Sequence, residues 1–362
     1  MSGVRIISVV GARPQFVKLA PVDAALREIG IEHVIVHTGQ HYDPMLSDVF
    51  FDDLGISAPD VHLGVGSGSH GVQTGAMLAA LDEVIADRRP DRVLVYGDTN
   101  STLAGALSAV KLHVPIAHLE AGLRSFNRAM PEEINRVLTD HAADLLLAPT
   151  DVAATHLANE GLADRTVVVG DVMTDVLLSV RDSVADAPSP VAAELGLPDG
   201  GYSLATIHRA ENTDDPGRLR AVLDALADVD HPVVLLAHPR LAAKCAAHGL
   251  PLEDAGNLRV HPPLAYPGLI ASALRARGVI TDSGGLQKEA FLLRVPCTTV
   301  RPQTEWVETV ELGWNLLVEP GPALVAAASR PRPAEPSPAL AHPYGDGRAA
   351  ARVARVLMAE GR

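Results

Sequence analysis

Short β-branched runs alternate with helix-patterned stretches from one end of this chain to the other, and the scheme is laid down twice. In the first half, extended runs fall at Arg5–Gly11, His33–Thr38, Arg92–Gly97, Ile116–Leu119, Leu145–Ala148 and Val167–Val169. Between them, apolar residues recur at i, i+3 and i+4 near Phe16–Ile29, Val72–Arg88, Ser101–Leu112 and Glu132–Ala143, the period of a helix with one buried face. The second half repeats the scheme with Tyr202–Ile207, Val233–Ala237, Leu258–Val260, Val279–Thr281, Thr298–Val300 and Leu316–Val318. Strands joined through helices by short links cross over right-handed and lie parallel, so the pattern predicts two α/β domains of Rossmann-like kind with parallel sheets. Composition agrees, since 47% of residues are apolar but only 3% aromatic, which leaves Ala, Val, Leu and Ile to build the interior. Periodicity fails between Asp186-Ala187-Pro188-Ser189-Pro190 and Leu197-Pro198-Asp199-Gly200-Gly201. This predicts a first domain over 1–172 and a second over 173–362, with a terminal helix near 346–361. The Pro- and Ala-rich stretch Ser329–Pro343 predicts an irregular loop.

A net charge of −14 disfavours nucleic acid or an anionic membrane as partner, because both demand a basic face. The apolar start at Met1–Val10 is cut short by Arg13 and Pro14, and no apolar run approaches the roughly 18 residues of a membrane span. The chain is therefore expected in the cytoplasm. Its two cysteines, Cys245 and Cys297, sit in unrelated contexts and are expected to be buried thiols. His37, His41 and His70 lack metal-ligand spacing, and neither HExxH, CxxC nor GxGxxG occurs, so neither a metal nor a nicotinamide cofactor is expected.

Two turns have the makings of phosphate sites. Val9-Val10-Gly11-Ala12-Arg13-Pro14 follows a strand and opens a helix, where Arg13 and Lys18 add charge to an N-terminus that already favours anions. Alone, it is equally a plain βα turn. Thr281-Asp282-Ser283-Gly284-Gly285 has the same placement, with two glycines that admit a close phosphate and a serine that can donate to it. Glu289, one turn further on, is placed to accept from ribose hydroxyls, or merely to complement the helix dipole.

Three acids follow strand ends or open the next helix. Asp98 lies in Tyr96-Gly97-Asp98-Thr99, Glu120 in His118-Leu119-Glu120-Ala121-Gly122-Leu123-Arg124, and Glu132 in Pro131-Glu132-Glu133-Ile134-Asn135-Arg136. Ligands of open α/β sheets sit at the carboxyl edges of strands, so these acids are expected to converge, and crowded carboxylates raise one another's pKa toward the range of proton transfer. Helix capping by Asp98 and Glu132 is the rival explanation. His208, at the carboxyl end of the first strand of the second half, is a candidate acid–base or phosphate-binding group; His238 and Arg240 repeat that placement one strand on.

These segments, with Gly11-Ala12-Arg13-Pro14-Gln15-Phe16-Val17-Lys18, Thr38-Gly39-Gln40-His41, His208-Arg209-Ala210-Glu211-Asn212 and Thr304-Glu305, resemble in order and over nearly the whole length the non-hydrolysing UDP-N-acetylglucosamine 2-epimerase family. The resemblance implies a GT-B arrangement with an active-site cleft between two Rossmann-like domains, a homodimer, and a terminal helix that returns to the first domain. It places Asp98, Glu120, Glu132 and His208 at the catalytic centre, and Arg13, Lys18, Gln40, His41, Arg136, His238, Arg240, Ser283, Gly284, Gly285 and Glu289 around a UDP-sugar. Members of the family eliminate UDP to give a 2-acetamidoglucal and add it back with the proton on the opposite face. Two departures stand out. Gln40-His41-Tyr42-Asp43 and Val72-Gln73-Thr74 differ from the pattern of members regulated by their own substrate, at Asp43 and Val72, and Thr304-Glu305-Trp306-Val307-Glu308 differs from the usual Thr-Glu-Arg-Pro-Glu and is similar to branches handling diacetamido uronic acids. A hydrolysing epimerase, a retaining glycosyltransferase on the same fold, and a catalytically silent nucleotide-sugar sensor remain as alternatives.

Overall fold

The computed structural model describes residues 4–40, 58–337 and 340–360. In the N-terminal half the strands are β1 (Arg5–Val10), β2 (Glu32–His37), β3 (Val61–His62), β4 (Arg92–Tyr96), β5 (Ile116–Leu119), β6 (Leu145–Ala148) and β7 (Thr166–Val168). They form one sheet in the order β3-β2-β1-β4-β5-β6-β7, parallel throughout. The inner strands are mostly apolar because both faces are covered, with Ser8, His33 and His118 as buried polar exceptions. On one face Ile6, Leu94, Tyr96 and Leu119 pack with Phe16, Leu19 and Leu26; on the other Ile7, Val9, Val93 and Val95 pack with Met77, Leu81 and Ile85. Among the described strands, β3 alone has no sequence counterpart, for two residues carry no periodicity.

The second sheet contains β8 (Ser203–Thr206), β9 (Val233–Leu236), β10 (Leu258–His261), β11 (Gly278–Thr281), β12 (Cys297–Thr299) and β13 (Asn315–Leu317). Its order is β10-β9-β8-β11-β12-β13, again parallel. Leu204, Val234 and Val279 face one helical layer and Ala205, Val233 and Ile280 the other.

The chain divides into two compact units, Met1–Val176 with Pro343–Arg362, and Leu177–His342. The terminal helix Ala349–Glu360 packs Val353, Ala354 and Leu357 into the first unit's core, and its leading amides at Ala349 and Ala350 donate to Asp175 at 3.0 and 2.8 Å. The Pro- and Ala-rich stretch has no regular structure over 331–337, yet the preceding Arg330 donates to the carbonyls of Cys297 (3.0 Å) and Trp314 (2.8 Å). In each sheet the strand order reverses once, between β1 and β4 and between β8 and β11. Neighbouring connections there leave on opposite faces, which opens the sheet edge to a ligand.

Candidate active site

At the carboxyl edge of the first sheet, β1 runs into Gly11, β4 into Gly97-Asp98 and β5 into Glu120. Gly11 is a glycine by necessity, because a Cβ there would stand 2.0 Å from the Thr38 hydroxyl and 2.3 Å from that of Ser101. The turn is tied by Gln15, whose side-chain oxygen accepts from the amides of Gly11 (2.8 Å) and Ala12 (3.0 Å) while its Nε2 donates to the Tyr96 carbonyl at 2.8 Å. Gln40 joins the same edge, its Oε1 accepting from the amide and hydroxyl of Ser101 at 3.0 and 2.7 Å.

Asp98 and Glu120 each have a cation partner here. Asp98 accepts from Arg136 Nη2 at 2.5 Å, and Glu120 is bonded to Lys18. Nothing in the sequence signals this cation pairing, which is made by contacts 38 and 102 residues apart. Burial disfavours the Lys18 ammonium, but Glu120, Asp98 and Asp171 outweigh it and hold the amine above its usual range. Capping by Asp98 is not observed: the Thr99 hydroxyl caps helix Asn100–Lys111, accepting from the Thr102 amide at 3.3 Å. Glu120 has φ +70°, a left-handed backbone that a non-glycine residue adopts only under constraint.

Glu132 and Glu133 both lie in the first turn of helix Pro131–Ala142, with Glu132 half-buried. Glu133 is the buried one, and sequence reasoning gave it no role. It accepts from the amides of Ser125 (2.9 Å) and Phe126 (2.8 Å), from the Ser125 hydroxyl (3.0 Å) and from Arg136 Nη1 (2.9 Å). Burial alone would raise its pKa; these donors hold the carboxyl below its ordinary value. Arg136 therefore bridges Asp98 to the segment that follows Glu120.

In the second unit the β8 and β11 edges meet on Asp282, wholly buried and also unassigned by sequence reasoning. Its carboxylate accepts from the amides of His208 (3.1 Å) and Arg209 (2.9 Å) and from Asn212 Nδ2 (3.0 Å), and faces His208 Nδ1 at 3.3 Å. Burial and the cationic neighbours His238, Arg209 and Arg240 lower the His208 pKa, against the pull of Asp282. The rings of His208 and His238 lie 5.3 Å apart.

Ser283 occupies the N-cap position of helix Gly284–Leu292, and its amide donates to the Thr281 hydroxyl at 2.9 Å. A Cβ on Gly284 would stand 3.8 Å from an Arg209 guanidinium nitrogen, 3.8 Å from the Glu305 carboxylate and 3.9 Å from an Arg301 nitrogen, so two guanidinium groups attend this helix N-terminus, with Arg301 held by Glu305 at 3.0 Å. Both were quoted or passed over in the sequence without a role, since nothing local tells a solvated Arg from one folded onto a turn. Gly285 is exposed beside them. Glu289 accepts from the Tyr266 hydroxyl at 2.9 Å, and burial pushes its carboxyl above the ordinary range.

Of the remaining candidates, His238 caps helix Pro239–His248 through Nδ1, which accepts from the Arg240 amide at 3.2 Å, and Arg240 is engaged by Asp214 at 3.0 Å. Arg13 opens helix Arg13–Glu28, but its side chain lies outside the described residues, as do His41 and Asp43. Both cysteines are buried, free thiols. Among the described residues no helix is long and apolar enough to cross a membrane.

A family sequence profile described as UDP-N-acetylglucosamine 2-epimerase matches residues 24–358. The chain is similar to a UDP-N-acetylglucosamine 2-epimerase homolog of Methanococcus maripaludis, with 45% identity over 98% of this chain and 99% of the relative. It is equally similar to the UDP-2,3-diacetamido-2,3-dideoxy-D-glucuronate 2-epimerase of Pseudomonas aeruginosa, at 47% identity with the same coverage. Among solved structures, the Methanocaldococcus jannaschii UDP-GlcNAc 2-epimerase in complex with UDP-GlcNAc and UDP superposes with a TM-score of 0.80 at 38% identity, covering 98% of this chain and 99% of that one.

Proposed function

The chain belongs to the UDP-N-acetylglucosamine 2-epimerase family, and from that premise we propose that it inverts carbon 2 of a UDP-linked N-acetylhexosamine by eliminating UDP and adding it back, without hydrolysis. The observation that carries this reading is the pair of carboxylates Asp98 and Glu120, each set against a cation at the carboxyl edge of adjacent strands beside the β1/β4 reversal.

Carbon 2 of such a sugar has no adjacent carbonyl to acidify its proton. Removal becomes feasible only as the glycosidic C–O bond breaks and positive charge grows on the ring. Carboxylates stabilise that charge while one of them takes the proton, and cationic groups hold the departing diphosphate. Asp98, Glu120 and Glu132 are assigned the sugar chemistry. Ser283, Gly284 and Gly285, with Arg209, Arg301 and His208, are assigned the anionic leaving group, supported by the helix N-terminus and the guanidinium groups beside it. Glu289 is assigned the ribose hydroxyls.

A second reading, a UDP-diacetamido uronic acid as substrate, is favoured by the Pseudomonas aeruginosa relative and by the stretch Thr304-Glu305-Trp306-Val307-Glu308, which departs from the usual Thr-Glu-Arg-Pro-Glu. Incubation of UDP-GlcNAc and of the uronic acid with enzyme in heavy water, followed by NMR, tests both. Deuterium at carbon 2 of an intact UDP-sugar is the expected result. Free N-acetylmannosamine with UDP would mean a hydrolase, product formed only with an acceptor would mean a transferase, and no exchange on either sugar would sink the proposal.

A further inference from the structure

We infer that His118 is a positioning residue, donating from both ring nitrogens, whose bond to the Gly97 carbonyl sets the turn that presents Asp98. The inference rests on the reading above only in taking Asp98 and Glu120 as the reacting acids.

The His118 side chain is wholly buried in β5, two residues before Glu120. Its Nδ1 lies 2.6 Å from Asp140 Oδ1 and its Nε2 lies 2.7 Å from the Gly97 carbonyl oxygen. A carbonyl only accepts, so Nε2 carries a hydrogen. Asp140 also accepts: its Oδ2 meets both the Arg124 guanidinium and the Gly122 amide, donors that call for an ionised carboxylate. Nδ1 therefore carries a hydrogen as well. Another histidine buried on this sheet, in β2, shows the contrast. His33 pairs with Asp23 at 2.6 Å, but its second nitrogen meets the Ser8 hydroxyl at 2.7 Å, a group that donates or accepts, so His33 is satisfied in either state.

The charge on His118 is compensated. Asp140 also takes Arg124 Nη1 at 2.7 Å and the Gly122 amide at 3.1 Å, and Arg124 reaches Glu160 at 2.7 and 2.8 Å. Two cations thus face two anions beneath the strand ends. One arm of this set grips Gly97, at φ +62°, directly before Asp98; the other grips Gly122, at φ +84°, two residues after Glu120. The Gly97 amide closes the arrangement on the Leu119 carbonyl at 2.9 Å. The strained turns carrying both acids are therefore fixed by a single ring and its counter-ion.

The two donor positions can be separated by substitution. A glutamine amide nitrogen reaches the place of Nε2, and an asparagine amide nitrogen that of Nδ1. His118→Gln keeps the bond to Gly97 and loses that to Asp140; His118→Asn does the reverse. Both are expected to melt earlier than wild type. Turnover separates them: His118→Gln should keep kcat within about threefold, whereas His118→Asn should lose about tenfold or more in kcat with KM little changed, because a misplaced acid weakens the transition state and not substrate binding. Equal kcat in the two variants, or the reverse order, overturns the inference. Should neither fold, the wild-type ring decides. In 15N-histidine-labelled enzyme, assigned through proximity to the Gly97 Hα, both His118 nitrogens should bear protons. A bare nitrogen overturns the inference, and this readout stands whether or not the enzyme proves to be an epimerase.

Discussion

Replacing Asp282 by alanine probes the framework of the second unit most directly. The carboxylate is fully buried and accepts from three donors on the β8 edge, the amides of His208 and Arg209 and Nδ2 of Asn212. A buried donor stripped of its acceptor costs about 1–3 kcal/mol. The loss is less than three such costs. Asn212 Nδ2 keeps its bond to the Val300 carbonyl at 2.9 Å, and the His208 amide adjoins a side chain that is 36% exposed and admits water. Releasing the carboxylate from its own desolvation recovers part of the remainder. A net destabilisation of about 3 kcal/mol follows, which for a unit of this size lowers Tm by roughly 6–12 °C. Differential scanning calorimetry of the full chain measures it, with Asp282→Asn, which retains one acceptor, expected to fall between alanine and wild type. A shift under about 2 °C for Asp282→Ala, or asparagine worse than alanine, would refute the view that acceptor loss governs the effect.

Asp98→Asn and Glu120→Gln preserve shape and remove charge, and each should lower kcat by about 10²–10⁴; Glu120→Gln should also melt earlier, because it leaves the buried Lys18 ammonium without its counter-ion, and near-normal turnover in either variant would end the proposed chemistry. Glu133 should reveal itself in acid. Its folded pKa is depressed, so the stability it contributes is complete above the unfolded value of 4.5 and is lost as pH falls through the lower folded one; Glu133→Gln should flatten that part of the Tm–pH profile, and an unchanged acid limb would count against the assignment. His208 has the same sign at higher pH, its folded pKa being lowered from 6.5. The folded state binds its proton less readily, so stability declines as pH drops below about 6.5, and His208→Gln should remove that decline from the Tm–pH profile; an identical profile in the variant would contradict it. At Gly122, φ is +84° and a Cβ would stand 2.4 Å from the Ala153 carbonyl oxygen, so Gly122→Ala should cost about 2–4 kcal/mol, read as a lower urea midpoint; a neutral result would contradict the geometry.

What the sequence determined by itself is everything that depends on residues close together along the chain. Short β-branched runs and a period of 3.6 are local, so the strands through Val93 and Val234 and the helices through Leu81 and Ala104 were legible, and with them the parallel α/β class and the placement of Asp98, Glu120, His208 and Ser283 at strand ends. The two-residue β3 was not, because pairing with β2 and not pattern makes it a strand. Partner choice at the site also lay beyond reach. That Asp98 faces Arg136 and Glu120 faces Lys18, that Glu133 is buried while Glu132 is only half so, and that Asp282 gathers three donors across the β8/β11 reversal are decided by the strand order. Adjacent carboxylates in a motif look alike in a sequence; only the packed sheet, by choosing which of them is dry and which cation lies within reach, gives each its charge state and its work.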